Sequence, residues 1–239
     1  MRLTQDLSRS RVEAKYGVAA EDVPALLHRI PADEREDYVV NTLYFDRPDA
    51  SLARKAVEDP FHCTKVRARQ YGDGSPWVWF EVKTREGRWT RKSRLQLSRA
   101  EASSLISATA RLRNLPARSG SDEDADARSF LEEVLRGELV PLGAVTADRR
   151  SFLLKRELVR ITLDLDIAYH RPAAGRPGMR GALLCREPDP VLEVKHVGCV
   201  PPSCRRLLEG LRPSGYSKFR NLVRSLREAD GNADRVDRL

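Results

Sequence analysis

Three short segments place a glutamate and a lysine two residues apart: Glu13/Lys15, Glu81/Lys83 and Glu193/Lys195. Two further segments place cations at the same step, Lys65, Arg67 and Arg69 in "TKVRARQY" and Arg88, Lys92 and Arg94, with Thr90 between the first two, in "GRWTRKSRL". Residues spaced by two share one face of a β-strand. Guanidinium and ammonium groups are natural ligands of phosphate oxygens. Carboxylates among them have a task that cations cannot perform, which is to hold a hard divalent metal. Glu13, Glu81 and Glu193 are the candidate metal ligands. An open sheet with a solvated charged face accounts for any one of these segments. For the whole set the alternative is a closed barrel whose charged faces line a channel. Like charges facing across such a channel repel, and a bound polyanion relieves the repulsion.

The elements that must position these residues are mostly strands. In "WVWFEVKTREGRWTRKSRL", Trp77 to Leu95, Val78, Phe80, Val82 and Thr84 face one way and Trp79, Glu81, Lys83 and Arg85 the other, with a turn at Glu86-Gly87. That is a β-hairpin with one apolar face. Ser10 to Tyr16, Asp37 to Asp46 and Thr64 to Tyr71 read as further strands, as do three runs at Leu142 to Leu154, Glu157 to Tyr169 and Ala182 to Val197. In "RITLDLDI", Arg160, Thr162, Asp164 and Asp166 oppose Ile161, Leu163, Leu165 and Ile167, and the two aspartates are expected to pair with nearby arginines.

Helices are expected at Glu21 to Ile30, Ala50 to Val57, Arg128 to Leu139, Pro202 to Leu211 and Ser217 to Glu228. Another is expected from Ser98 to Arg113, where Ser98 and Glu101 sit at capping-box spacing. Residues 116–127, polar and acidic, read as a flexible surface loop, and the tail from residue 230 to 239 is expected to fray. The whole chain, 1–239, reads as one domain with its core at about 10–229.

The chain has 239 residues with 41% hydrophobic, enough to build a core. Lys plus Arg number 43 against 35 Asp plus Glu, a net charge of +8 that suits an anionic partner. The four cysteines include no C-x-x-C pair and do not cluster with the four histidines, which argues against a zinc site and for reduced thiols. No apolar run approaches the ~20 residues of a membrane span. A cytoplasmic location is the resulting expectation. Walker A, protein-kinase and G-x-S-x-G motifs are all missing. The tryptophans at 77, 79 and 89 are better read as packing than as base-stacking platforms, so no specific nucleic acid is expected.

"RVEAKYGV", "VNTLYFDRPD", "KVRARQYGD", "WFEVKTREGRWTRKSR", "RITLDLDI", "VLEVKHVG" and "GYSKFRNLV" occur in this order. Together they resemble the VTC domain, the polyphosphate polymerase branch of the triphosphate tunnel metalloenzyme superfamily. The resemblance implies an α+β fold, an antiparallel eight-stranded barrel or tunnel with helices packed outside. It implies transfer of the γ-phosphoryl group of ATP to a growing polyphosphate chain with Mn²⁺ or Mg²⁺. Hydrolysis of triphosphate and a non-catalytic polyphosphate-binding module are the alternatives.

Carried over by motif, Lys15, Arg67, Arg69, Lys83, Lys92 and Arg94 match the basic ligands of the phosphate chain, with Lys195 beside them. Glu193 matches the metal-binding glutamate, and Lys218 matches a functional lysine near the tunnel mouth. The family's tyrosine-x-arginine falls in "ADRRSF", where Asp148 replaces the tyrosine; Arg150 is the better match and Arg149 lies next to it. Lys218, Arg150 and Lys83 are thus the candidate catalytic residues. The opening Arg11-x-Glu13-x-Lys15 has the VTC form rather than the Glu-x-Glu-x-Lys of the wider superfamily. Eukaryotic members also carry a sensor domain and membrane helices, so moving a polymer across a membrane would need a membrane partner.

Overall fold

The computed structural model describes residues 11–107, 138–173 and 180–236. In chain order the elements are β1 (Arg11–Gly17), a 3-10 turn (Ala20–Asp22), α1 (Val23–Arg29), β2 (Glu34–Asp46), α2 (Ser51–Glu58), β3 (His62–Tyr71), β4 (Trp77–Glu86), β5 (Trp89–Ser98) and α3 (Arg99–Ser107). There follow β6 (Val140–Leu154), β7 (Val159–Pro172), β8 (Arg180–Arg186), β9 (Val191–Val197), α4 (Pro202–Leu208) and α5 (Lys218–Val236). Eight strands join in the order β1-β9-β7-β6-β2-β3-β4-β5, and β8 branches from β7. The eight-strand antiparallel α+β expectation is met, with one strand added.

The chain packs as two compact units. The first comprises Met1–Val39, Ala147–Ile167 and Arg186–Tyr216; the second comprises Val40–Thr146, Ala168–Cys185 and Ser217–Leu239. In the first, Ile161, Leu163, Leu192 and Val194 meet Leu26, Cys204 and Leu207 in one core. In the second, Val66, Phe80, Val82 and Leu97 are wholly buried together with Phe45 and Ala102. Each of these valine, leucine, isoleucine and phenylalanine side chains contributes about 1.5–3 kcal/mol on burial.

Local chemistry sets the element ends. Gly87 and Arg88 form the two-residue hairpin loop closed by Glu86 opposite Trp89, and Gly87 takes the positive φ of 60° that such a loop needs. The α3 capping box forms in full: Ser98 N–H donates to Glu101 Oε2 at 2.6 Å, and Glu101 N–H donates to Ser98 Oγ at 3.2 Å. Asp46, fully buried at the end of β2, accepts from the N–H groups of Leu52 at 2.9 Å and Ala53 at 3.0 Å, which ties β2 to the start of α2.

One expectation needs correction. The single run from Ala182 to Val197 is two strands, β8 and β9, because Pro188 and Pro190 lack the N–H groups that a ladder requires. α5 continues past Gly231 to Val236. Phe219, Leu222, Val223 and Leu226 bury one face of α5, and Arg171 binds Asp230 at 2.5 Å. A mid-helix glycine costs only about 1 kcal/mol, too little to stop a helix anchored this way. The acidic loop at 116–127, the part of the expected Ser98 to Arg113 helix beyond residue 107 and the helix expected from Arg128 lie outside the described residues, except that 138 and 139 are not helical.

Candidate functional site

In the first unit, β1 and β9 run antiparallel with Glu13 opposite Lys195 and Lys15 opposite Glu193. Two Glu-x-Lys motifs paired in opposite sense put every carboxylate across from an ammonium. Lys195 Nζ lies 2.5 Å from Glu193 and 3.8 Å from Glu13, and Lys15 Nζ lies 3.7 Å from Glu193 and 3.3 Å from Glu13. β7 extends this face, with Arg160 opposite Lys195 and Thr162 opposite Glu193.

Asp164, buried two residues further along β7, accepts a two-pronged bond from Arg149, Nε at 2.6 Å and an Nη at 2.8 Å. Burial alone would raise the Glu193 carboxyl, but Lys195, Lys15 and Arg149 hold it well below the usual carboxylate range. Burial opposes the charge on Arg149, and Asp164 and Glu193 outweigh it, so the guanidinium holds its proton more tightly than usual.

Arg149 therefore sits with this cluster, and Arg150 does not. Arg150 Nε lies 3.9 Å from Asp37, whose carboxylate Arg35 already grips at 2.6 Å. The parity of β6 carried the signal. Arg150 is in step with Phe152 and Leu154 of the apolar core, whereas Arg149 is in step with the small Ala147 and Ser151, which leave room for a guanidinium.

The second unit carries a different face. Across β3, β4 and β5, Lys65, Lys83 and Lys92 form one row and Arg67, Glu81 and Arg94 the next; Arg69 then stands beside Trp79. Glu81 is 1% exposed; Arg67 Nε donates to its Oε2 at 2.8 Å and Lys92 binds its Oε1. Burial pushes the Glu81 carboxyl up, but Arg67, Arg69 and Lys92 together keep it well below its usual range.

The flanking residues hold the cations in place. Arg69 donates to Thr42 Oγ1 at 3.1 Å, and Arg94 stacks 4.5 Å over the Trp79 ring. Lys65 donates to Ser217 Oγ at 3.1 Å and lies 5.7 Å from the centre of the Phe219 ring. Lys218 opens α5 between those two residues. Tyr44 and Tyr71 have phenols lowered to about 8; burial opposes this, and Arg67, Arg69 and Lys65 for Tyr44, and Arg69 and Arg67 for Tyr71, overcome it. Tyr71 continues the parity of Lys65, Arg67 and Arg69 in the sequence, whereas Tyr44 did not stand out there, although it alternates into the basic face opposite Arg67.

For a divalent metal, Glu13 and Glu193 fit. Among the described residues no group of three or more His, Cys, Asp or Glu side chains is gathered. Two carboxylates nonetheless suit Mg²⁺ or Mn²⁺, which fill their remaining positions with water and substrate phosphates. Glu81, expected as a third ligand, lies in the second unit with its oxygens paired to Arg67 and Lys92, as those of Glu193 are to Lys195 and Lys15.

The sequence model of the VTC domain matches residues 10–227. The chain belongs to the VTC domain family. Its fold resembles that of a putative adenylate cyclase from Bacillus halodurans, at 17% identity over 89% of this chain and 96% of that one, with a TM-score of 0.53. It also resembles a putative adenylyl cyclase from Hippeastrum described as revealing a dominant triphosphatase activity, at 16% identity over 89% of this chain and 94% of that one, with a TM-score of 0.55. A search of curated proteins found no significant match. No helix among the described residues of this VTC domain is long and apolar enough to cross a membrane.

Proposed function

We propose that this VTC domain binds a triphosphate or polyphosphate chain and transfers a phosphoryl group, with synthesis of polyphosphate from ATP as the first choice. The observation that carries the reading is the β3–β4–β5 face, where Lys65, Arg67, Arg69, Lys83, Lys92 and Arg94 surround one buried carboxylate. Such a face is relieved by an anion with several charges in a row.

In this reading Arg67, Arg69, Lys83, Lys92 and Arg94 neutralise non-bridging oxygens, while Lys15, Lys195 and Arg149 do the same beside Glu193. Lys218 adds an ammonium at the start of α5. Glu13 and Glu193 would hold Mn²⁺ or Mg²⁺, which supplies charge withdrawal from phosphoryl oxygens. A phosphate oxygen is already a competent nucleophile at neutral pH, so chain extension needs no strong general base.

Hydrolysis is the second reading, favoured by the triphosphatase described for the Hippeastrum protein of the same fold. Incubation with γ-labelled ATP and Mn²⁺, followed by separation of long polymer from free phosphate, distinguishes the two. Labelled polymer is the expected result, free phosphate alone supports hydrolysis, and no turnover leaves a binding module.

A further inference from the structure

On the β1–β9–β7 face one polar group has nothing to bond. Thr162 is 5% exposed, and its hydroxyl is buried without a hydrogen-bond partner. Its neighbours on that face are all engaged: Asp164 by Arg149, and Glu193 by Lys195 and Lys15. Ile161 and Leu163, on the other side of β7, are wholly buried in the core, so the strand's register is firmly set and Thr162 cannot turn outward. Valine would fill the same volume and suit a strand at least as well, without leaving a hydroxyl unbonded.

The position of the hydroxyl indicates what would satisfy it. Thr162 stands directly opposite Glu193 in the antiparallel ladder, and side chains so placed have Cβ atoms about 4.5–5.5 Å apart. Lys195, Lys15 and Arg149, which hold Glu193 ionised, are the cations nearest that carboxylate, and a phosphate oxygen seated there would share them. A hydroxyl among cations bonds best by donating to the anion they attract.

We infer that the Thr162 hydroxyl donates a hydrogen bond to a phosphate oxygen seated beside Glu193, making Thr162 a binding residue for the phosphate chain. The inference rests on the phosphate-binding reading above and adds a residue to it. No bond is made or broken by Thr162, and its role is to hold and orient one oxygen.

The test is calorimetric titration of tripolyphosphate, without metal and at low salt, into the parent protein, Thr162→Val, Thr162→Ser and Arg67→Ala, together with ligand-free melting of each. Thr162→Val should bind about tenfold more weakly, and Thr162→Ser should stay within about twofold of the parent. Ligand-free Thr162→Val should melt at or above the parent, because it removes an unsatisfied buried hydroxyl. Equal binding by Thr162→Val and the parent, while Arg67→Ala is weakened, would remove the inference and leave the phosphate reading intact. A parent that binds no tripolyphosphate would remove both. Weaker binding of Thr162→Val together with a lower melting temperature would also overturn it, since the hydroxyl would then have a structural partner.

Discussion

The β1–β9–β7 face and the β3–β4–β5 face use the same residue types in opposite proportions. On the first, Glu13, Glu193 and Asp164 pair with Lys15, Lys195 and Arg149, and Arg160 stands beside them, so charge is nearly balanced within the protein. On the second, Glu81 stands alone among six cations. The balanced face offers carboxylates that a metal can share, and the unbalanced one leaves charge for a ligand to neutralise. The difference follows from strand direction as well as composition. Antiparallel pairing sets Glu-x-Lys against Glu-x-Lys in complementary register, whereas Glu81-x-Lys83 faces Arg67 and Lys65 on one side and Arg94 and Lys92 on the other.

The sharpest separation of the two faces comes from Glu193→Gln, which keeps shape and removes the charge a hard cation seeks. Metal-dependent turnover should fall on the order of a hundredfold or more, as loss of one preorganised transition-state contact does. Metal-free tripolyphosphate binding should persist. Unchanged turnover would break the assignment of the balanced face.

Glu81→Gln should have the largest effect on stability, because it strands Arg67 and Lys92 beside a neutral amide. A loss of about 3–5 kcal/mol in denaturant unfolding is expected. Tripolyphosphate should recover more of it than it adds to the parent. The same carboxylate sets an acid limit. Cations hold the folded-state pKa of Glu81 and of Glu193 below the unfolded value of about 4.3. Their contribution is therefore present above about pH 4 and lost as pH falls below it. Melting curves between pH 6 and pH 2 should show this decline, blunted in Glu81→Gln.

A smaller effect is expected at alkaline pH. With folded-state phenols near 8 against about 10 unfolded, Tyr44 and Tyr71 add stability that is complete above about pH 10 and lost as pH falls through about 8. Their ionised forms also neutralise Arg67 and Arg69, so tripolyphosphate affinity should drop as pH rises through 8. Titration across pH 7–9.5, with tyrosinate absorbance as the monitor, should show the drop in the parent and a weaker one in Tyr44→Phe. Away from both faces, Ser98→Ala should cost only about 1 kcal/mol through the α3 cap and leave binding unchanged. A binding loss in that control would mean that the faces are not independent of the outer helices.

Much of this arrangement was legible because strand parity is local. The hairpin, the capping box and the alternation of Lys65, Arg67 and Arg69 against Val66 and Ala68 need only neighbouring residues. The pairing of Asp164 and Asp166 with arginines was also anticipated, and they bind Arg149 and Arg186. What parity does not supply is the partner across the sheet. That Glu81 is consumed by Arg67 and Lys92 depends on the register of three strands. The break at Pro188 and Pro190 was visible but was outweighed by the apolar run around it. Arg150 was preferred to Arg149 by motif spacing, although Phe152 and Leu154 mark its face as the apolar one.

The account turns on the unbalanced face being a site for a chain of phosphates. Its most direct test is metal-free calorimetry of phosphate, pyrophosphate and tripolyphosphate with the parent protein and Arg67→Ala at one low salt concentration. Affinity should rise with each added phosphate in the parent, and Arg67→Ala should lose at least ~1 kcal/mol of tripolyphosphate binding. Affinity that is flat with chain length, or equal in parent and variant, would contradict the assignment.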